Sequence, residues 1–168
     1  REDLFDIFII PISWGQTGWI WTDTEFRQWM DERITLTQIL LQKQQLNPDL
    51  SLQVTIPNEF QKLAPINIGY TAGIEASRVS PVWLQKGNEM DKILIVSNHS
   101  KKVFTDTVYQ AQDPNTGQKF DYSCSTPIEV VNFPARIIEP ASLDLELTTD
   151  FNFLTVAQWS PRKNLKNT

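Results

Sequence analysis

Between residues 50 and 96 the sequence alternates between two patterns, and this alternation restricts the fold more than any other feature. Residues 50–56 place Leu50, Leu52, Val54 and Ile56 on one side, interleave polar residues, and end at Pro57. This predicts a strand whose apolar face is buried. Residues 66–72 and 92–96 are further apolar runs of strand length, the latter the clearest in the chain. Between them, Ser80 and Pro81 suit a helix start, because proline's fixed φ fits the first helical position and its missing donor costs nothing there. Trp83, Gly87 and Met90 then share a helical face. Strands alternating with helices predict an α/β layered domain with a largely parallel sheet. Such sheets bind ligands at the carboxyl ends of their strands.

The flanking regions extend this plan. Residues 4–12 are a nearly continuous apolar run, the pattern of a strand covered on both faces. Residues 13–19 carry two glycines and two tryptophans and read as a loop. Thr22, Asp23, Thr24 and Glu25 fit a capping box with Thr22 as the cap. Phe26, Trp29, Met30 and Ile34 follow at helical spacing, and the helix is expected to continue through residues 36–46 and stop near Asn47 and Pro48. Downstream, Ser97 and Asn98 cap a helix reaching about Val108. Asp113, Pro114, Asn115, Thr116 and Gly117 form a strong turn signal, which predicts a β-hairpin insertion. Residues 129–133 are a last strand. From Pro134 the composition turns acidic and aperiodic, and residues 151–156 then open a new strand before Pro161 and a basic cluster. The expected organisation is a domain over 1–135, a linker over 136–150 and the start of a second domain over 151–168.

Composition bounds the function. The 168 residues suffice for one real core. A hydrophobic content of 40% with 21% charged residues is that of a globular protein, and no apolar stretch approaches the roughly 20 residues needed to span a bilayer. The single Cys124 forms no intrachain disulfide, and a reducing, cytoplasmic setting is expected. A net charge of -5 argues against a nucleic-acid partner, which needs a positive face. Local phosphate affinity survives where Arg162, Lys163 and Lys166 cluster. His99 is the only histidine, which argues against a histidine-rich metal site and leaves a Ser/His/Asp triad unsupported. No cofactor and no metal are expected. An apolar run so near Arg1, and a βα unit opened so near Thr168, suggest a slice of a longer chain.

Residues 68–75 (Ile-Gly-Tyr-Thr-Ala-Gly-Ile-Glu), then Pro81, Val82 and Trp83, then Asn88 and Asp91, then Ile95, Val96 and Ser97, occur in an order that resembles the amino-terminal domain of retaining, nucleotide-sugar-dependent glycosyltransferases with two Rossmann-like domains, the group often called family 4 or group 1. Residues 151–163 are similar to the first strand and phosphate loop of that family's second domain. The resemblance implies a hexosyl transfer from a nucleotide-sugar donor to a carbohydrate or lipid acceptor, and it allows peripheral membrane contact of the parent enzyme. Lys163 falls on the family lysine that contacts the donor diphosphate. Gln158 stands where the family usually has arginine, Asn164 where it has glycine, and Arg162 is placed to supply the charge. The family's glutamate pair falls beyond Thr168, and its amino-domain histidine has no counterpart; Glu75 stands near that place.

Each candidate has a plainer reading beside the functional one. Glu75 suits orienting an acceptor hydroxyl or stabilising a cationic transition state, or else balancing a helix dipole. Arg162 and Lys163 suit diphosphate binding, or a solvated basic turn. Asn58, Glu59, Thr71, Ser97 and His99 sit at strand ends and suit the acceptor side, although a carboxylate beside Pro57 is often simply exposed and His99 suits capping. Trp14, Trp19 and Trp21 suit stacking on a sugar or packing between elements. The rival reading of the whole chain is a single-domain, non-catalytic flavodoxin-like binding module, in which residues 151–168 complete the same sheet. A glycosidase would need two acids about 5 to 10 Å apart, which a sequence does not fix.

Overall fold

A computed structural model describes residues 4–12, 21–135, 137–142, 146–157, 161, 164 and 166. The chain divides into two compact units, Arg1–Phe133 and Pro134–Thr168. The first is α/β and contains α1 (Glu25–Gln42), β1 (Leu50–Val54), β2 (Ile66–Thr71), α2 (Pro81–Gly87), β3 (Lys92–Ile95), α3 (Asn98–Asp106), β4 (Tyr109–Gln112), β5 (Lys119–Tyr122) and β6 (Ile128–Val130). A parallel sheet runs in the order β1, β2, β3, β6, and β4 pairs antiparallel with β5. The largely parallel sheet and the hairpin insertion expected from the sequence are both present.

The core occupies one face of the sheet. Ile93 and Ile95 of β3 point into it. They meet Val79, Leu84, Val103 and Phe104 in one buried cluster and Phe60 and Met90 in another. Successive strands step in one direction, so right-handed crossovers bring α2 and α3 to this same face. Gly69 allows the close approach of Phe60, since a Cβ at that position would lie 2.4 Å from the Phe60 ring.

At β1 the expected burial is inverted. Leu50, Leu52, Val54 and Ile56 are exposed, whereas Gln53 is buried. The reason is that Gln53 clamps the loop after β1: its Nε2 donates to the Gln61 carbonyl at 2.6 Å and its Oε1 accepts from the Gln61 amide at 2.9 Å. A buried amide satisfied in this way carries no desolvation deficit. Asn67 of β2, 3% exposed, organises the same edge of the sheet. Its Oδ1 accepts from Leu63 N at 2.8 Å, Ala64 N at 3.1 Å and Ser51 Oγ at 2.9 Å. Its Nδ2 donates to the Ala64 carbonyl at 2.6 Å, and its backbone amide donates to Asp91 Oδ2 at 2.8 Å.

Other expectations shift at their ends. The cap of α1 is Thr24 rather than Thr22, with Thr24 Oγ1 accepting from Arg27 N at 3.2 Å. Glu25 therefore opens the helix, where its charge complements the dipole, and does not close a capping box. Helix α1 also ends at Gln42 instead of running to Leu46. Gln44 adopts φ 56°, Gln45 N donates to the Leu40 carbonyl at 2.9 Å and Gln44 N to the Leu41 carbonyl at 3.0 Å, which is a Schellman termination. Helix α3 stops at Asp106, two residues short of expectation, and the final strand begins at Ile128.

Residues 4–12 form no strand, contrary to the buried strand expected. Leu4, Phe5, Ile10 and Ile12 are more than half exposed, and Ile9 N donates to Thr37 Oγ1 of α1 at 3.0 Å. An apolar run becomes a strand only beside a neighbour that takes up its backbone groups, and this one meets a helix. In the unit Pro134–Thr168 the same holds for residues 151–156: no ladder includes them, and Phe151, Phe153, Leu154 and Val156 are exposed. Their local order is a T-shaped contact of the Phe151 and Phe153 rings at 5.0 Å and a turn in which Asn152 Nδ2 donates to the Thr149 carbonyl at 2.9 Å.

Two outcomes test this account. Asn67→Ala leaves two backbone donors of the Leu63 and Ala64 turn without their acceptor, at about 1 to 3 kcal/mol each, so urea denaturation should show a loss of about 3 kcal/mol. In the hairpin, Asp113 Oδ1 accepts from Asn115 N at 2.7 Å and Thr116 N at 3.1 Å, and these bonds hold its carboxyl below the usual range. A depressed folded-state pKa contributes stability that is present above the ordinary carboxylate pKa of about 4 and lost as pH falls through the lower folded value. The protection of the Asn115 and Thr116 amides, relative to their intrinsic exchange at each pH, should therefore fall only on acidification below that range, and Asp113→Ala should remove that fall.

Candidate functional site

Because β1, β2 and β3 are parallel neighbours, their carboxyl ends lie along one edge. Three segments leave this edge: a 3₁₀ turn at Pro57–Glu59, residues 72–80, and Ser97 with α3. All predicted site residues of the first unit lie on them or at the strand ends that feed them.

The loop after β2 is fixed at both ends. Gly73 adopts φ +77°, which a side chain rarely allows, and a Cβ there would lie 2.4 Å from Ser100 Oγ in the first turn of α3. Ser97 caps that helix: its Oγ accepts from Ser100 N at 3.1 Å and lies 3.1 Å from Ser100 Oγ. At the other end Val79 N donates to Thr107 Oγ1 at 3.2 Å, at the carboxyl cap of α3. Arg78 donates to the Val108 carbonyl at 2.8 Å with its guanidinium carbon 4.5 Å from the Tyr109 ring centroid, and Tyr109 OH donates to the Val79 carbonyl at 2.7 Å. Between these anchors sits Glu75, exposed to solvent. His99 is likewise exposed, in the first turn of α3.

The remaining candidates are held in local structure. Thr71 ends β2 beside Ile95, and it is buried, so it supports the loop and presents nothing to solvent. Asn58 Oδ1 accepts from Trp83 Nε1 at 3.1 Å, and Trp83 in turn stacks on Phe104 at 6.1 Å. The Glu59 carboxylate accepts from the Thr55 hydroxyl. Ser97 is committed to its capping role. The structure thus brings Ser97, Ser100 and Gly73 into contact, and it keeps Asn58 and Glu59 on the separate turn after β1.

Gln158, Arg162 and Lys163 lie outside the described residues, as do Trp14 and Trp19. Trp21 is exposed just before α1. Cys124 is half-buried against both core clusters, and this burial raises its thiol pKa. Among the described residues no three His, Cys, Asp or Glu side chains are placed to hold a metal ion, and no helix is long and apolar enough to cross a membrane.

Two residues of the quoted motif serve the fold. Asn88 Nδ2 donates to the Ser123 carbonyl at 2.9 Å and its Oδ1 accepts from Ser125 N at 2.8 Å, tying α2 to the segment before β6. Asp91 binds the Asn67 amide at the opposite edge of the sheet from the loops. The anchors Arg78, Ser100 and Thr107 were missed at the sequence level. Only the glycine at position 73 signalled that something packs closely there. An α/β domain with a preset loop at the carboxyl edge of a parallel sheet is the class these features define. No family model, curated protein or solved structure matches the chain.

The loop anchors give a direct test. Gly73→Ala forces a Cβ against Ser100 at a left-handed φ and should cost about 1 to 3 kcal/mol in thermal denaturation. Ser97→Ala removes the helix cap and the hydroxyl contact with Ser100 and should cost about 1 kcal/mol.

Proposed function

We propose that this chain supplies the acceptor-side wall of a metal-independent, nucleotide-sugar-dependent glycosyltransferase. The observation that carries the reading is Glu75, exposed on a loop fixed to both ends of α3 at the carboxyl edge of the sheet. Resemblance in residues 68–97 supplies the reaction class, and the parallel sheet with its loops at one edge is compatible with it.

Sugar transfer from a nucleoside diphosphate builds negative charge on the leaving diphosphate and positive charge at the anomeric carbon. Glu75 is assigned the second: it accepts a hydrogen bond from the attacking hydroxyl and faces the cationic carbon with a fixed carboxylate. A side chain held by a preset loop needs no reorganisation at that moment, and this is where preorganisation contributes to rate. His99, exposed in the first turn of α3, is assigned as a further acceptor contact. Lys163, Arg162 and Gln158 are assigned to the donor diphosphate on the resemblance alone. In the family this chain resembles, turnover requires a complete donor-side domain as well, so the chain by itself binds without reacting.

The test is amide shift mapping of the chain with oligosaccharides and, separately, with nucleotide sugars. Saccharide shifts should concentrate at residues 72–79 and the first turn of α3. Glu75→Gln should weaken that binding by about tenfold, the worth of one charge-assisted hydrogen bond of about 1.5 kcal/mol. Absence of saccharide shifts at this edge, or sugar turnover by the chain alone, would contradict the assignment.

A further inference from the structure

The face of the sheet opposite the core is apolar and open. In the parallel register Leu50 lies beside Ile66, Leu52 beside Ile68 and Val54 beside Tyr70, so these six side chains share one face, and Leu94 joins them beside Tyr70. Val131 continues it past β6, where Val131 N donates to the Ile95 carbonyl at 2.9 Å and Tyr70 OH to the Val131 carbonyl at 3.1 Å. Phe133 closes the patch with its ring 6.0 Å from that of Tyr70. Leu50, Leu52, Val54, Ile66, Val131 and Phe133 are between 41% and 64% exposed. Parallel sheets are ordinarily covered on both faces, and α1, the one long helix among the described residues, leaves its own Leu36, Ile39 and Leu41 exposed rather than covering this face.

We infer that a second copy of the chain packs on this face, sheet against sheet about a two-fold axis. The area fits. Allowing about 200 Å² for a free side chain of this size, six such groups at about half exposure offer roughly 600 Å². That is at the upper limit of what a monomer leaves open and close to the roughly 800 Å² each partner buries in a stable complex, with the polar rim supplying the rest. Charge also fits. Lys92 and Glu129 lie on this face, beside Ile68 and Leu94, and pair at 2.8 Å while both remain partly exposed. A surface carrying one charge of each sign is self-complementary under a two-fold rotation, since the ammonium of each copy meets the carboxylate of the other. Flat apolar faces of this kind stack about 10 Å apart with strands roughly 30° from parallel, a geometry open to a pleated sheet with no helix over it.

Sedimentation velocity of the full chain across a dilution series tests this. A closed dimer is expected at high concentration. Leu52→Lys, midway along β1 on this face, should raise its dissociation constant by about tenfold or more through an unpaired buried charge. Leu36→Lys, on the exposed side of α1, should leave it unchanged. Circular dichroism checks that both variants fold. A monomer at every concentration overturns the inference and leaves the face to a covering layer of different origin. So does a dimer indifferent to Leu52→Lys, a dimer lost in Leu36→Lys, or an open-ended series of larger species. The measurement involves no sugar, so its failure is independent of the proposed activity.

Discussion

One buried side chain, Asn67, determines how the sheet is put together. A single carboxamide near the start of β2 serves β1 through Ser51, the preceding loop through Leu63 and Ala64, and, through its backbone, the entry to β3 at Asp91. A polar group in such a place is tolerated only when its bonds are made in full, and then it specifies one arrangement where apolar packing would admit several. Gln53 repeats the device one strand away. Together they explain why β1 turns its polar side inward: the space beneath it is occupied by a hydrogen-bonded loop, and leucines there would orphan those backbone groups.

This arrangement separates two tasks along the strand direction. At the amino edge, Asn67 and Asp91 fix register, and Gln53 holds the segment that follows β1. At the carboxyl edge, the anchors act on a loop instead of a strand: Gly73 against Ser100, Val79 against Thr107, Arg78 against the base of the hairpin. The hairpin insertion thereby acquires a role. Tyr109 at its base accepts the Arg78 cation on its ring and holds the Val79 carbonyl, so β4 and β5 buttress the segment that carries Glu75.

Much of the fold was legible because its punctuation is local. Ser80 with Pro81, Ser97 with Asn98, and the Asp113 to Gly117 turn each encode their own geometry, and β2 and β3 are apolar runs that fit no other element. The failures share one cause, which is that burial of a strand face depends on what covers it. Alternation at residues 50–56 identified a strand and gave its two sides, yet not which side lay against the core. Residues 4–12 and 151–156 have strand composition and no ladder. At the candidate site the sequence located the loops and Glu75, since strand order alone determines which turns share an edge. It did not show which polar atoms are already taken up, as those of Thr71, Ser97 and Asn58 are by burial, a helix cap and an indole. That distinction is made by contacts distant in sequence.

The same reasoning bears on the two faces of the sheet. The face under α2 and α3 contains the large buried side chains and also the polar clamps, so its interior is specified by shape and by hydrogen bonds together. The other face has only apolar contact to offer, apart from the Lys92 and Glu129 pair, whose proximity holds the Glu129 carboxyl below its usual pKa. A surface with few directional bonds favours burial without dictating much about its partner. A single ion pair at one corner is then the feature that discriminates between ways of covering it. Stability in this domain therefore comes chiefly from the covered face and its amino edge, and both the open face and the carboxyl loops can be altered without disturbing the bonds that set the register of the strands.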